Sequence, residues 1–153
     1  IDKTNKTIGE QLTYLILSET LRKEDIKIAL HQIFTNVRLK NLVEVRGTDR
    51  SPIGYEMAPV AFWTGLLTEK TCRDEILSIV NQWTIQERMR FNQLSLVLDD
   101  TQLGPQGKTY REWNQWAGDL ALSGLKKREI GEEKFFNEYF KKVMSKGPFS
   151  LQG

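Results

Sequence analysis

Apolar residues recur through most of this chain at helical spacing, and the residues that cap helices recur with them. Ile8, Leu12, Leu15 and Ile16 fall on one helical face, with Thr7 as N-cap and Glu10 completing a capping box. A second helix is predicted from Asp25 to Phe34, with Ile26, Ala29, Leu30 and Ile33 toward a core. Pro59 suits the first turn of a hydrophobic helix running to Leu67, whose shortage of polar residues predicts burial on nearly all sides. Thr71 or Asp74 would open the next helix, which carries Ile76, Leu77, Val80 and Trp83. Thr84 and Glu87 repeat the capping-box pattern, and residues 94–98 end that helix or form a short strand. Beyond a loop at 99–108, two further helices are predicted at Tyr110–Lys127 and Glu132–Met144, joined at Gly131. Gly147-Pro148 stops the last one, and residues 148–153 read as a frayed tail. The expected class is α+β, predominantly helical, with one or two strands that need a sheet from elsewhere.

One segment breaks the helical period. In Leu42-Val43-Glu44-Val45-Arg46-Gly47-Thr48-Asp49 the residues alternate, placing Val43 and Val45 on one face and Glu44 with Arg46 on the other. The Cα atoms of Glu44 and Arg46 would lie two strand rises apart, roughly 6.6–6.8 Å. If the strand continues backwards without a bulge, the polar face reads Arg38, Lys40, Leu42, Glu44, Arg46. On pattern alone this is an exposed strand face with a cross-strand ion pair. The same spacing also suits a metal-ligating acid beside a phosphate-binding Arg, each reaching a different part of one Mg-nucleotide.

The wider run decides which reading to pursue. His31, Phe34, Val37-Arg38-Leu39-Lys40, Glu44-Val45-Arg46-Gly47-Thr48-Asp49, Pro52 and Ala58-Pro59-Val60-Ala61-Phe62-Trp63-Thr64-Gly65-Leu66-Leu67 follow in that order. This succession resembles the C-terminal part of the glutamate–cysteine ligases (γ-glutamylcysteine synthetases), especially the plant and proteobacterial type. The close likeness covers residues 30–67, a looser helical likeness continues through Thr84-Ile85-Gln86-Glu87-Arg88, and it is faint beyond Asp99. Departures from the family pattern stand at Thr35, Leu42, Thr48 and Thr68-Glu69.

The resemblance implies the C-terminal portion of a glutamine-synthetase-like catalytic domain within a longer enzyme. It implies ATP and Mg²⁺ as cofactors, and glutamate with cysteine or another amine as substrates. Glu44 then matches a metal ligand, since Mg²⁺ takes hard oxygen ligands through one or two carboxylates plus phosphates. Arg46 matches the catalytic cation on the transferring phosphoryl group, where a fixed fork of donors offsets developing charge. Arg38 and Lys40 would contact nucleotide phosphates or the substrate α-carboxylate, or else form a basic edge that blunts strand pairing. Asp49 would orient Arg46 or cap the loop. The expected function is part of an ATP-dependent ligase joining the γ-carboxylate of glutamate to cysteine through an acyl phosphate, in glutathione biosynthesis. The alternatives are a non-catalytic helical interaction module derived from the ligase, and a ligase with a different amine acceptor.

Other chemistry-bearing residues add less. His31 has no Cys or acid partner in its neighbourhood of sequence and reads as structural. Cys72 reads as a passive residue near a helix start, because no His lies within motif distance. Gly104-Pro105-Gln106-Gly107-Lys108-Thr109 has the ending of a phosphate loop, but Gln102 stands where that motif needs Gly, and Pro105 removes a backbone donor. Trp113, Trp116 and Leu120 form a packing stripe. Phe135, Phe136, Tyr139 and Phe140 form another, which would be a docking face only if left exposed.

Composition bounds the rest. With 153 residues, 39% hydrophobic and 27% charged, the chain fits one domain or a fragment of a larger ligase domain. Its 22 basic residues nearly balance 20 acidic ones, which gives no electrostatic case for nucleic acid. The longest apolar run, Ala58–Leu67, falls far short of a membrane span. A single Cys and a single His exclude an intrachain disulfide and a Cys/His zinc site, and they fit a reducing compartment, expected to be the cytoplasm, or a plastid if the chain is of the plant type that the resemblance names. The opening Ile1-Asp2-Lys3 lacks Met and a signal peptide, and reads as a cut inside a longer protein.

Overall fold

Three helices open on the same device. Thr7, Thr84 and Thr109 each accept the backbone N–H three residues on, while Glu10, Glu87 and Glu112 reach back to the threonine N–H. The third box was not singled out from sequence, although it has the same Thr-x-x-Glu spacing. The computed structural model describes residues 7–32, 37–39, 42–48 and 50–152. Within it the chain forms two compact units, residues 1–49 and 50–153.

The first unit holds α1 (Ile8–Leu17), α2 (Lys23–Gln32), β1 (Val37–Leu39) and β2 (Val43–Val45). Helix α2 touches both α1 and β1. Asp25 accepts the backbone N–H of Arg22 at 2.9 Å and its guanidinium Nε at 3.3 Å, which starts α2 before the predicted Asp25. Burial here is slight: Ala29 is buried, whereas Ile26, predicted to face a core, is 43% exposed. Helix α1 buries none of its residues. Ile33 and Phe34 lie outside the described residues.

The two strands are antiparallel, with Val37 opposite Val45, Arg38 opposite Glu44 and Leu39 opposite Val43. The condition for extending the strand back from Glu44 to Arg38 is therefore not met, and the two residues stand on the two strands of a hairpin. The chain reverses between Leu39 and Val43, so parity cannot be carried through the intervening residues. Arg38 and Glu44 still share a face, but because they are directly opposed across the ladder.

The second unit contains α3 (Ala58–Thr68), α4 (Lys70–Val80), α5 (Ile85–Leu94), α6 (Tyr110–Lys127) and α7 (Lys134–Lys146), with short 3-10 turns at Pro105–Gly107 and Phe149–Leu151. Its core gathers Ala58, Ala61 and Leu66 of α3, Ala121 and Leu125 of α6, and Phe136 and Phe140 of α7. Helix α3 packs mainly on α6, with α4 and α7 beside it. Its burial is one-sided rather than all round, since Val60 and Leu67 are 54% and 42% exposed. Gly65 and Gly124 explain the closeness of α3 and α6. A Cβ on Gly65 would lie 2.9 Å from Leu125 Cγ, and one on Gly124 would lie 2.8 Å from the Gly65 carbonyl carbon.

Helix α4 begins at Lys70, ahead of the predicted Thr71 or Asp74, because Glu69 caps it by accepting the Cys72 N–H at 2.9 Å. Leu94 ends α5, and Leu96 and Val97 close turns back onto Gln93 and Leu94, so residues 94–98 form no strand. The predicted packing role of Trp113 holds: it is 2% exposed, lies 5.0 Å from Trp83 between ring centroids, and donates its indole N–H to the Pro105 carbonyl at 3.1 Å. Trp116 extends that edge-to-face cluster, 5.4 Å from Trp113 between centroids, and donates to Glu75 at 3.0 Å.

On α7 the aromatic stripe faces inward. Phe136 and Phe140 are buried and stack at 5.2 Å, leaving only Phe135 of the four largely exposed, at 44%. The docking-face condition of the interaction-module alternative is therefore unmet on this helix. Gly147, at φ 79°, ends α7. Beyond it Phe149 packs 5.3 Å from both Tyr139 and Tyr55.

Candidate functional site

The short strands Val37-Arg38-Leu39 and Val43-Glu44-Val45 each put a charged residue between two apolar ones. Antiparallel register then sets the two charged residues opposite each other. Arg38 donates from Nε to Glu44 Oε2 at 2.7 Å and approaches the same oxygen with Nη2 at 2.6 Å. Both side chains stay partly accessible, at 21% for Arg38 and 36% for Glu44. A carboxylate so placed is charged, half-solvated and a hard oxygen donor, which suits one ligand position on Mg²⁺.

Arg46 is exposed and follows β2 directly, with Gly47 and Thr48 after it. It lies one residue beyond β2, which ends at Val45, so the paired ladder that holds Glu44 does not include it. Lys40 and Asp49, the other predicted binding residues, lie outside the described residues. The backbone of His31 belongs to the last turn of α2. The pairing of Arg38 with Glu44 was missed because the run was read as one strand. A signal was present: Asn41, a residue type that favours turns, stands midway between the two apolar-charged-apolar triplets.

Among the described residues no group of three or more His, Cys, Asp and Glu is placed to hold a metal ion. Glu44 thus fits as a single contributor to a metal site, not as a complete one. Its remaining ligands would come from nucleotide phosphates, water and residues outside those described.

Two other sequence features carry no site. Cys72 is 1% exposed, its thiol faces the Leu120 carbonyl at 3.5 Å, and burial pushes its pKa up, the opposite of nucleophile activation. In the Gly104–Thr109 loop the backbone is used internally. Gly104 N–H donates to the Lys108 carbonyl at 2.8 Å, Lys108 N–H donates to the Pro105 carbonyl at 3.2 Å, and Lys108 Nζ lies 4.7 Å from the Trp113 ring centroid. Those two backbone donors are therefore committed within the loop.

Comparison with known proteins spans the hairpin residues and extends well beyond them. The sequence model described as glutamate-cysteine ligase family 2 (GCS2) matches residues 4–148. The likeness therefore continues past Asp99, where the sequence motifs had become faint. The chain is 31% identical over 109 residues to glutamate–cysteine ligase, chloroplastic, of Medicago truncatula, covering 71% of this chain and 21% of that protein. It is 30% identical over 109 residues to the same-named protein of Nicotiana tabacum, with the same shares covered. Over 59 residues, 39% of the chain and 11% of the relative, it is 42% identical to that of Arabidopsis thaliana. The chain thus spans about a fifth of the length of the longest-matching of these relatives. With nearly its whole length matched, the chain belongs to the glutamate-cysteine ligase family 2.

Proposed function

We propose that this chain is the C-terminal part of the catalytic domain of an ATP-dependent ligase that joins the γ-carboxylate of glutamate to the amine of cysteine. The observation that carries the reading is a hairpin bearing Glu44 and, two residues on, Arg46, inside a family match over residues 4–148. In this reading ATP supplies the phosphoryl group that activates the γ-carboxylate as an acyl phosphate, and Mg²⁺ supplies charge neutralisation. The cysteine amine then attacks the acyl carbon, forming the amide and releasing phosphate.

The chain's own part is positioning and charge. Glu44 contributes one carboxylate oxygen to the metal. Arg46 presents a planar fork of donors to the oxygens on which negative charge accumulates. Lys40 and Arg38 supply further positive charge for phosphates or for the substrate α-carboxylate, and Asp49 orients Arg46. No nucleophilic side chain is required, so the buried state of Cys72 is consistent with this chemistry.

The proposal includes residues outside this chain, because one hairpin carboxylate cannot hold a metal-nucleotide alone. The product would be a glutamate–cysteine dipeptide, as the names of the plant relatives suggest, and its use in glutathione synthesis is what the family resemblance implies. Those names favour a plastid over the cytoplasm as the compartment. Among the described residues no helix is long and apolar enough to cross a membrane.

The test is glutamate- and cysteine-dependent ADP release by the full-length protein, with Arg46→Ala alongside and other amines offered in place of cysteine. Dipeptide formation that collapses in a folded mutant supports the reading. Turnover with another amine alone would reassign the acceptor, and no turnover with any amine would refute the ligase reading.

A further inference from the structure

Two donors of Arg38 converge on one oxygen of Glu44, the same carboxylate that the ligase reading gives to a metal. Nε lies 2.7 Å and Nη2 2.6 Å from Oε2. A guanidinium at that distance and a divalent cation on the same carboxylate would set like charges within a few ångströms of each other, an unfavourable arrangement that partial exposure to water weakens but does not remove. We propose that Arg38 is a positioning residue that holds the Glu44 carboxylate in place of the metal, and that divalent cation binding breaks this ion pair. The inference rests on Glu44 being a metal ligand.

Three features of the hairpin favour exchange over a permanent pair. Register places Arg38 directly across from Glu44, so the carboxylate is held on its own face of the hairpin before any cation arrives. The pair is partly exposed, at 21% and 36%, where an ion pair contributes little and a divalent ion can compete. The Arg38 side chain is long and its charge permanent, so a released guanidinium can move aside to solvent or to an anionic ligand without losing its proton.

The test is Mn²⁺ binding to the full-length protein without nucleotide, read from the electron paramagnetic resonance signal of free Mn²⁺. Wild type is compared with Arg38→Gln, Arg38→Lys, Glu44→Gln and the Arg38→Gln/Glu44→Gln double variant, each checked for folding by circular dichroism. Arg38→Gln should tighten Mn²⁺ binding by about two- to fivefold, the scale expected when a partly exposed ion pair no longer has to be broken. Arg38→Lys, which keeps the charge, should stay near wild type and serves as a second probe. Glu44→Gln should weaken binding, and the double variant should match it. Equal or weaker binding in Arg38→Gln, with Glu44→Gln still weakened, would overturn the exchange and leave Glu44 as a ligand. Unchanged binding in Glu44→Gln would overturn both.

Discussion

Gly65 and Gly124 meet backbone to backbone where α3 crosses α6. A Cβ added at Gly124 would sit 2.8 Å from the Gly65 carbonyl carbon and 3.2 Å from Cys72 Sγ, and neither neighbour is a flexible side-chain end. Overpacking of this kind costs about 1–3 kcal/mol and sometimes more. Gly124→Ala should therefore lower Tm by roughly 2–10 °C in a chain of this size. Gly9→Ala is the contrasting case. Gly9 lies within α1, and its Cβ would meet nothing closer than Thr7 Oγ1 at 4.0 Å. That change should stabilise α1 by less than the roughly 0.5–1 kcal/mol of a mid-helix glycine, because Gly9 sits in the first turn. Thermal melts of both variants check the opposite signs.

Glu69 links α4 to the end of α6 and sets a pH dependence. The Thr71 hydroxyl first, then the Cys72 N–H, with Lys127 3.7 Å away, lower its pKa from 4.5 to about 2. A carboxyl with a depressed folded pKa contributes stability that is present above the unfolded value. This contribution fades as pH falls from about 4.5 toward about 2. The capping carboxyls Glu87 and Glu112 are lowered too, mainly by the backbone N–H of Thr84 and Thr109, and act in the same direction. Denaturant midpoints measured from pH 6 down to pH 2 should fall, and Glu69→Gln should flatten part of that fall.

Cys72 should be inert while the second unit stays folded. Its side chain is 1% exposed, and burial is the first cause of its raised pKa. Labelling by a disulfide reagent at neutral pH should proceed at the rate of unfolding, and rapidly in denaturant. Fast native labelling would show that α4 and α6 separate readily.

Local rules made much of this fold readable. Thr-x-x-Glu spacing announced two capping boxes, and the predicted Tyr110–Lys127 helix has the observed bounds because Thr109 and the basic last turn mark its ends. What the sequence hid was tertiary. The shortage of polar residues in α3 predicts burial on nearly all sides, yet Val60 and Leu67 are exposed, and nothing in the run around Gly65 says which helix crosses there. Period-two alternation by itself does not distinguish one strand from two antiparallel strands of the same parity. At the candidate site, residue type and family resemblance single out Glu44 and Arg46 as an expectation. The Arg38–Glu44 pair required the register of a ladder.

The most direct test of the central claim follows an oxygen atom. Glutamate labelled with ¹⁸O in its γ-carboxylate is given to the full-length protein with Mg-ATP and cysteine, and the released phosphate is analysed by mass spectrometry for wild type and Arg46→Ala. Reaction through an acyl phosphate predicts one ¹⁸O carried into each phosphate. It also predicts that Arg46→Ala slows phosphate release by about 10²–10³-fold, the scale for loss of one charge-stabilising donor. Unlabelled phosphate, or turnover unaffected by loss of the Arg46 guanidinium, would contradict it.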